Sequence, residues 1–161
     1  MRRLIPLTVL FALLTACGFK LQTRVELPAD MARTRLVIQA PQSEFARRIE
    51  SLLEQNGAQL VSSREATATL EVPLNRIRRE IQSIGEGARV REFRVRHTVQ
   101  FRLVDNKGKE LIPMQNFEQS RVYSFNASNI LASEREFEFL GNELSDSMAR
   151  MVIRRLGTFG K

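Results

Sequence analysis

Residues 93–103, with the sequence FRVRHTVQFRL, alternate apolar and polar side chains along their length. A period of two is typical of a β-strand with one face on a core and the other in water. The segment Asp105-Asn106-Lys107-Gly108 follows and has the composition of a hairpin turn. The next strand is expected over 109–125, with Phe117, Tyr123 and Phe125 on one face. An antiparallel hairpin therefore stands at the centre of the expected sheet.

The segment before this hairpin predicts a β-α-β unit. A short strand is expected over 33–40, and Ser43 is placed to cap a helix over 44–56. Gly57 gives that helix a C-terminal stop, and Ala58 to Ser63 reads as a second strand. If these two strands are neighbours, they should be parallel, with a right-handed crossover.

Alternation at period two returns from Ala68 onward, and Pro73 interrupts it. A proline inside a strand indicates an edge or a bulge, because it cannot donate a backbone hydrogen bond. We therefore expect the strand to resume over 77–81 with its facing shifted. The Gly85-Glu86-Gly87 segment then predicts a turn into the central strand.

A long helix is expected at the C-terminal end of the chain. Ser133 and Glu136 have the spacing of a capping box, and Gly157 follows the last apolar residue. The expected buried stripe consists of Phe137, Leu140, Leu144, Met148, Met151, Val152 and Leu156. The order β-α-β-β-β-α predicts an α+β fold: a mixed sheet of four to five strands with two helices packed on one face. Residues 33–161 are expected to form this single domain.

The N-terminal residues 1–16 have the pattern of a signal peptide, with Arg2 and Arg3 before a short apolar run. The sequence LTAC at 14–17 resembles a bacterial lipobox. Cys17 is therefore expected to carry S-diacylglycerol and an N-acyl chain such as palmitate, and residues 17–32 to form a lipidated tether. Two alternatives remain, an uncleaved signal anchor and an ordinary signal peptide that leaves a free thiol. Gly18, rather than an aspartate, after the cysteine indicates sorting to the outer membrane.

The charge of the chain is strongly basic, with 25 Lys and Arg against 18 Asp and Glu. Such a balance would ordinarily suggest nucleic acid as a partner, but export makes that partner unexpected. Lipopolysaccharide is the abundant polyanion of the bacterial outer membrane. The arginine guanidinium suits its phosphates and carboxylates, because the planar group donates two parallel hydrogen bonds.

Residues that could support catalysis or bind a metal are scarce. His97 is the only histidine and Cys17 the only cysteine, so neither a metal site nor a cysteine–histidine pair is expected. His97 shares the face of Val95 and Val99, which predicts a buried histidine with a satisfied ring. The sequence therefore predicts neither an enzyme nor a cofactor other than the lipid on Cys17.

Arginines on both sides of the Gly85–Gly87 turn are the candidate binding residues. Three precede the turn and four follow it: Arg76, Arg78 and Arg79, then Arg89, Arg91, Arg94 and Arg96. In a hairpin these charges would concentrate on one ribbon, where like charges destabilise each other. A polyanionic ligand or an acidic partner would offset that repulsion. In the alternative interpretation, Glu80, Glu86 and Glu92 form ion-pair ladders with the arginines and nothing binds.

Several short motifs together resemble the LptE family of lipopolysaccharide-assembly lipoproteins. These motifs are Cys17-Gly18-Phe19-Lys20-Leu21, Arg47 and Leu52 before Asn56-Gly57, Arg91-Glu92-Phe93, and Ser120-Arg121-Val122-Tyr123-Ser124-Phe125-Asn126 followed by Leu131-Ala132 and Glu136. The resemblance covers essentially the whole mature chain and implies an α+β fold with two helices on a four-stranded sheet.

The resemblance also implies partners. Members of that family plug the large outer-membrane β-barrel translocon, LptD, aid its assembly and bind lipopolysaccharide. Some relatives carry lysine directly after the Leu-Ala pair, where this chain has Ser133. Two hypotheses follow: a lipid-anchored plug, facing the periplasm or inside the barrel lumen, and a free-standing periplasmic carrier that holds lipid between its helices and sheet.

Overall fold

The computed structural model describes residues 25–159, so the expected signal peptide, Cys17 and the first part of the tether lie outside the described residues. The strands are β1 (Arg33–Ile38), β2 (Gln59–Leu60), β3 (Ala68–Ile84), β4 (Val90–Asp105) and β5 (Glu110–Ser124), and the helices are α1 (Glu44–Gln55) and α2 (Ile130–Gly157). The sheet order is β2-β1-β3-β4-β5. β1 is parallel to β2 and β3, and the other neighbours are antiparallel. The predicted α+β architecture with a mixed sheet is confirmed.

Pro73 produces the predicted shift of facing within β3. The register with β4 slips between Glu71 and Leu74. Before the slip, Leu70 and Val72 are buried in the main core, whereas after it Ile77 packs on the helix side of the sheet. Because proline lacks an N–H donor, a bulge is the arrangement that lets a long strand accommodate it.

The core lies between the two helices and one face of the sheet. Ile49 and Leu53 of α1 meet Phe101 of β4 and Met148 and Val152 of α2, and all five are fully buried. The apolar stripe predicted for the C-terminal helix is confirmed at Leu140, Leu144, Met148, Val152 and Leu156, whereas Phe137 and Met151 are half-buried. The helix layer therefore covers one side of the sheet only.

The ends of the two helices differ in how well the sequence predicts them. Ser43 caps α1 as predicted and accepts a hydrogen bond from the Ala46 N–H at 3.2 Å. The capping box predicted at Ser133 is wrong, because α2 begins one turn earlier and Asn129 is its cap. The Asn129 side chain accepts from the Ala132 N–H, and Ser133 is buried within the first turn.

Packing extends toward the N-terminus beyond β1. Met31 is fully buried in the core, and Val25 and Leu27 pack against it. The Val25 N–H donates to the Asn56 side chain at 2.7 Å, at the end of α1. No helix in the described part of the chain is long and apolar enough to cross a membrane.

Candidate functional site

The seven candidate arginines lie on or beside the hairpin formed by β3 and β4. Its turn is closed by the Gly85 N–H, which donates to the Arg89 carbonyl at 2.8 Å. Arg78 lies directly opposite Arg96, and Glu80 lies opposite Arg94. The two groups of arginines are thus brought together, as the sequence predicts, but they do not share one face.

The face of the hairpin without helices carries Arg76, Arg78, Arg94 and Arg96. Arg96 is held between two carboxylates, Glu80 at 2.9 Å and Glu118 on β5. These hydrogen bonds raise the pKa of Arg96, because they favour its charged form. Of the three carboxylates in the alternative interpretation, Glu80 therefore pairs with an arginine, whereas Glu86 and Glu92 form no ion pair within the described residues.

The other arginines of that face are not neutralised in this way. Arg94 donates to the neutral side chain of Gln82 at 2.8 Å. Arg76 and Arg78 make no ion pair with any residue of 25–159, and both are exposed. Arg78 lies opposite Arg96 in the register of the two strands, and like charges at opposed positions destabilise a sheet unless anions are near.

Arg79 points to the opposite side of the sheet, toward α2. It donates to both carboxylate oxygens of Glu134, at 2.7 and 2.9 Å. Its guanidinium also lies 4.0 Å from the centre of the Phe137 ring and 5.5 Å from that of Phe93. The hydrogen bonds to Glu134 raise the pKa of Arg79, and the guanidinium lowers the pKa of Glu134.

The position of Arg79 could have been read from the sequence. After the shift at Pro73, Arg79 has the same parity as Ile77 and Ile81, the residues of β3 that face the helix side. A strand places residues of equal parity on one face. Parity along β3, and not distance from the turn, therefore separates Arg79 from Arg76 and Arg78.

Arg89 and Arg91 lie at the tip of the hairpin, where both are exposed. The Arg91 side chain lies across Gly85 so closely that a Cβ there would come within 2.6 Å of its Nε. In the described segment neither arginine has a carboxylate partner, and Glu92 accepts instead from the Ser83 hydroxyl at 2.7 Å.

Exposed apolar side chains accompany the arginines at this end of the molecule. Ile81 is 58% exposed and Ile84 is 61% exposed, near the end of β3. Ile130 and Leu131 open α2, and Leu131 is 74% exposed. Individual exposed apolar residues are common, but several beside unpaired arginines make a surface suited to an amphipathic anion. Leu131 belongs to the family motif, but the sequence patterns do not predict that these side chains are exposed.

The motif that most strongly carries the family resemblance forms one pocket. Residues from the end of β5 and the start of α2 line a shallow space of about 480 Å³. They are Val122, Tyr123, Ser124, Asn126, Asn129, Ala132, Ser133 and Glu136. Ser133, where some relatives have lysine, is buried here, and it donates to the Asn129 carbonyl at 3.4 Å.

His97 is buried in the core, as predicted, but its ring is only half satisfied, because Nδ1 has no hydrogen-bond partner among the described residues. Its Nε2 lies 2.9 Å from the Asn75 side-chain oxygen, and its ring packs edge-on against Phe45. Burial lowers the pKa of His97 to about 4, so the imidazole is neutral at pH 7. Within residues 25–159 no three metal-ligating side chains cluster together.

A comparison with known families relates this geometry to a function. The family model described as "LptE: Lipopolysaccharide-assembly" matches residues 32–156, which include all five strands and nearly all of α2. This chain belongs to the LptE family. Its role is therefore in lipopolysaccharide assembly.

Solved structures of LptE-like lipoproteins share the fold. Lipoprotein B from Nitrosomonas europaea is 26% identical, with a TM-score of 0.73 over 88% of this chain and 92% of that one. Rare lipoprotein B from Shewanella oneidensis is 20% identical, with a TM-score of 0.67 over 78% and 94%. A minor lipoprotein from Acinetobacter baumannii is also 20% identical, with a TM-score of 0.67 over 80% and 92%. No curated protein sequence matches the chain.

Proposed function

We propose that this LptE-family chain is an outer-membrane lipoprotein that plugs the β-barrel lipopolysaccharide translocon, LptD, and assists its assembly. Cys17 would carry the S-diacylglycerol and N-acyl anchor. The observation that carries the proposal is the family match over 32–156, which spans the whole sheet rather than an isolated motif. The solved relatives are themselves described as lipoproteins.

The polar face of the sheet supports a position inside a large barrel. That face carries Arg96 between Glu80 and Glu118, and Arg102 with Glu71 at 2.7 Å. The interior of a large outer-membrane barrel is polar and wet, unlike its lipid-facing exterior. A sheet that presents ion pairs on one side and a helix layer on the other can lie in such a lumen without exposing its core.

Direct binding of lipopolysaccharide is the second part of the proposal, and the hairpin tip is its site. Arg89 and Arg91 supply unpaired guanidinium groups, and Ile81 and Ile84 supply exposed apolar surface beside them. Guanidinium forks bind phosphate through paired hydrogen bonds, while acyl chains contact apolar side chains. Together these groups match a molecule that is anionic at one end and apolar at the other.

The carrier hypothesis receives less support from the packing. A carrier needs an apolar cavity for acyl chains, and the space between helices and sheet is filled by fully buried side chains such as Ile49, Phe101 and Met148. A cleft of about 530 Å³ opens beside α1, but Glu44 and Glu138 line it. Carboxylates at that position would repel the phosphates of a lipid A headgroup.

Affinity purification of the tagged, acylated protein from detergent-solubilised outer membranes tests the proposed function. We expect a large β-barrel protein in a one-to-one ratio. An unrelated outer-membrane lipoprotein with the same tag controls for capture through the detergent micelle. Recovery of the chain alone, or with lipid only, would overturn the proposal that it plugs a barrel and would support the carrier hypothesis.

A further inference from the structure

β3 continues well beyond the strand that pairs with it on one side. β1 pairs with Ala68–Val72, and the last backbone bond runs from the Gln39 N–H to the Val72 carbonyl at 2.9 Å. Ala40 then takes a positive φ of 56°, and the chain turns away into α1. Beyond that point, β3 is paired with β4 alone among the strands of residues 25–159.

The unpaired side of residues 76–81, called the open edge below, is regular. The pairing with β4 runs from Leu74 to Ile81 without a register shift. In an antiparallel ladder every second residue directs its N–H and C=O away from the partner strand. The open edge therefore presents a row of backbone donors and acceptors, which is a template for one more strand.

The two sides of the open edge differ in chemistry. On the helix-free side, Arg76 and Arg78 are exposed and make no ion pair within the described residues. On the helix side lies the 530 Å³ cleft, next to the same stretch of β3. Its apolar lining comes from Ala40, Phe45, Ile77, Phe137 and Gly141, and the carboxylates of Glu44 and Glu138 also line it.

We propose that the open edge binds an extended segment of a partner protein that alternates acidic and apolar side chains. Alternate side chains of a strand point to opposite faces, so the acidic ones would meet Arg76 and Arg78 and the apolar ones would enter the cleft. Main-chain bonds supply affinity in such strand addition, and the side-chain pockets supply selectivity. This inference goes beyond the proposed function, since it requires neither lipopolysaccharide nor the lipid anchor.

Binding of a synthetic peptide to the full-length chain in detergent tests the inference. The probe is a fluorescent ten-residue peptide that alternates aspartate and valine, and fluorescence anisotropy measures its binding. A lysine–valine peptide is the charge control. We expect the aspartate peptide to bind and the lysine peptide not to. Two further aspartate peptides carry N-methyl groups on odd or on even residues. Since only one set of N–H groups faces the edge, one of the two should lose binding and the other keep it.

Matched variants distinguish peptide binding at the open edge from a nonspecific effect of the net charge of the protein. The double variant R76E/R78E should weaken aspartate-peptide binding about tenfold, and R76Q/R78Q less. R135E/R154E makes the same change of net charge at exposed positions of α2 and should leave the affinity within about twofold. Circular dichroism establishes that each variant is folded.

Four outcomes would overturn the inference. Equal binding of both N-methylated peptides, or an equal loss in R135E/R154E, would exclude strand addition at this edge. A dimer by light scattering that dissociates in R76E/R78E would make a second copy the occupant. Binding that appears only after deletion of residues 18–24 would make the chain's own N-terminal segment the occupant.

Discussion

His97 couples the stability of the protein to pH. The folded-state pKa is about 4, below the value of about 6.5 expected in the unfolded chain. At a pH between these two pKa values, His97 is protonated in the unfolded chain and neutral in the folded protein. The free energy of unfolding is therefore highest above pH 6.5 and decreases as the pH drops toward 4. We expect the free energy of unfolding to decrease by about 2 kcal/mol between pH 7 and pH 5, measured by urea denaturation.

The variant H97Q provides the control for that prediction. Glutamine has no titratable group and can still donate to the Asn75 side-chain oxygen, which the His97 ring contacts at 2.9 Å. Its stability should change little between pH 7 and pH 5, whatever its absolute value. An equally steep pH dependence in H97Q would assign the effect to other groups.

Arg79 fixes the first turns of α2 to the sheet. It combines a two-oxygen hydrogen bond to Glu134 with stacking on Phe137, so two contacts join the start of this helix to β3. In R79A we expect amide hydrogen exchange over 130–137 to accelerate several-fold. R78A changes the neighbouring arginine on the opposite face, and there the exchange of this segment should be unchanged. Equal acceleration in both variants would contradict the assignment.

At the scale of an element, the end of α2 depends on the absence of a side chain at Gly157. A Cβ at that position would lie 2.2 Å from Val25 Cγ1 and 3.1 Å from the Glu26 carbonyl oxygen. G157A should therefore destabilise the protein by about 1–3 kcal/mol, the usual cost of overpacking, as measured by thermal or urea unfolding.

Gly141, in the middle of the same helix, is the matched control for Gly157. There a Cβ would meet only Ile77 Cδ1, at an ordinary 3.7 Å. Alanine has the higher helix propensity, so G141A should stabilise the protein by up to about 1 kcal/mol. The double variant V25A/G157A should recover part of the loss in G157A. Similar destabilisation by both glycine substitutions would show that the segment before β1 does not pack as described.

The elements differ in how far the sequence predicts them, and the reasons are physical. Apolar–polar alternation and turn residues are local features of the sequence. They therefore predict β4, β5 and the shift of facing at Pro73 correctly. The start of α2 depends on which side chain reaches a free backbone N–H, and Asn129 competes there with Ser133. β2 pairs over only Gln59 and Leu60, fewer residues than the apolar pattern at 58–63 predicts. An apolar pattern indicates which residues are buried, but it does not indicate where the hydrogen bonding between strands ends.

The sequence predicts that the candidate arginines lie together, but it does not predict how they divide between the two faces of the sheet. The seven arginines cluster along the hairpin, yet the ion pairs that neutralise Arg96 come from Glu80 and from Glu118, which lies on a different strand. The carboxylate that holds Arg79 comes from α2, far along the chain. Contacts of this range depend on how the elements pack, which local sequence patterns do not specify.

At the scale of the whole molecule, the ion pairing of the arginines leads to a prediction about the proposed binding of lipopolysaccharide. An arginine already bonded to a carboxylate has fewer donors for phosphate, and its partner repels the anion. Arg79 and Arg96 are bonded in this way, whereas Arg89 and Arg91 are exposed at the tip without a carboxylate partner in the described segment. R89Q/R91Q should therefore weaken the binding of lipopolysaccharide to the full-length acylated chain about tenfold or more, and its salt dependence should become shallower.

R79Q, which neutralises an arginine on the helix side of the sheet, is the control for that loss. We expect its affinity for lipopolysaccharide to change less than about twofold, because phosphate at the tip would not reach a guanidinium bonded to Glu134. The amount of barrel protein that co-purifies with R89Q/R91Q should equal that of the unmodified chain, since the role proposed for the tip arginines is to bind lipopolysaccharide and not the barrel. If R79Q and R89Q/R91Q lost affinity equally, binding would depend on total charge and the tip would not be the site.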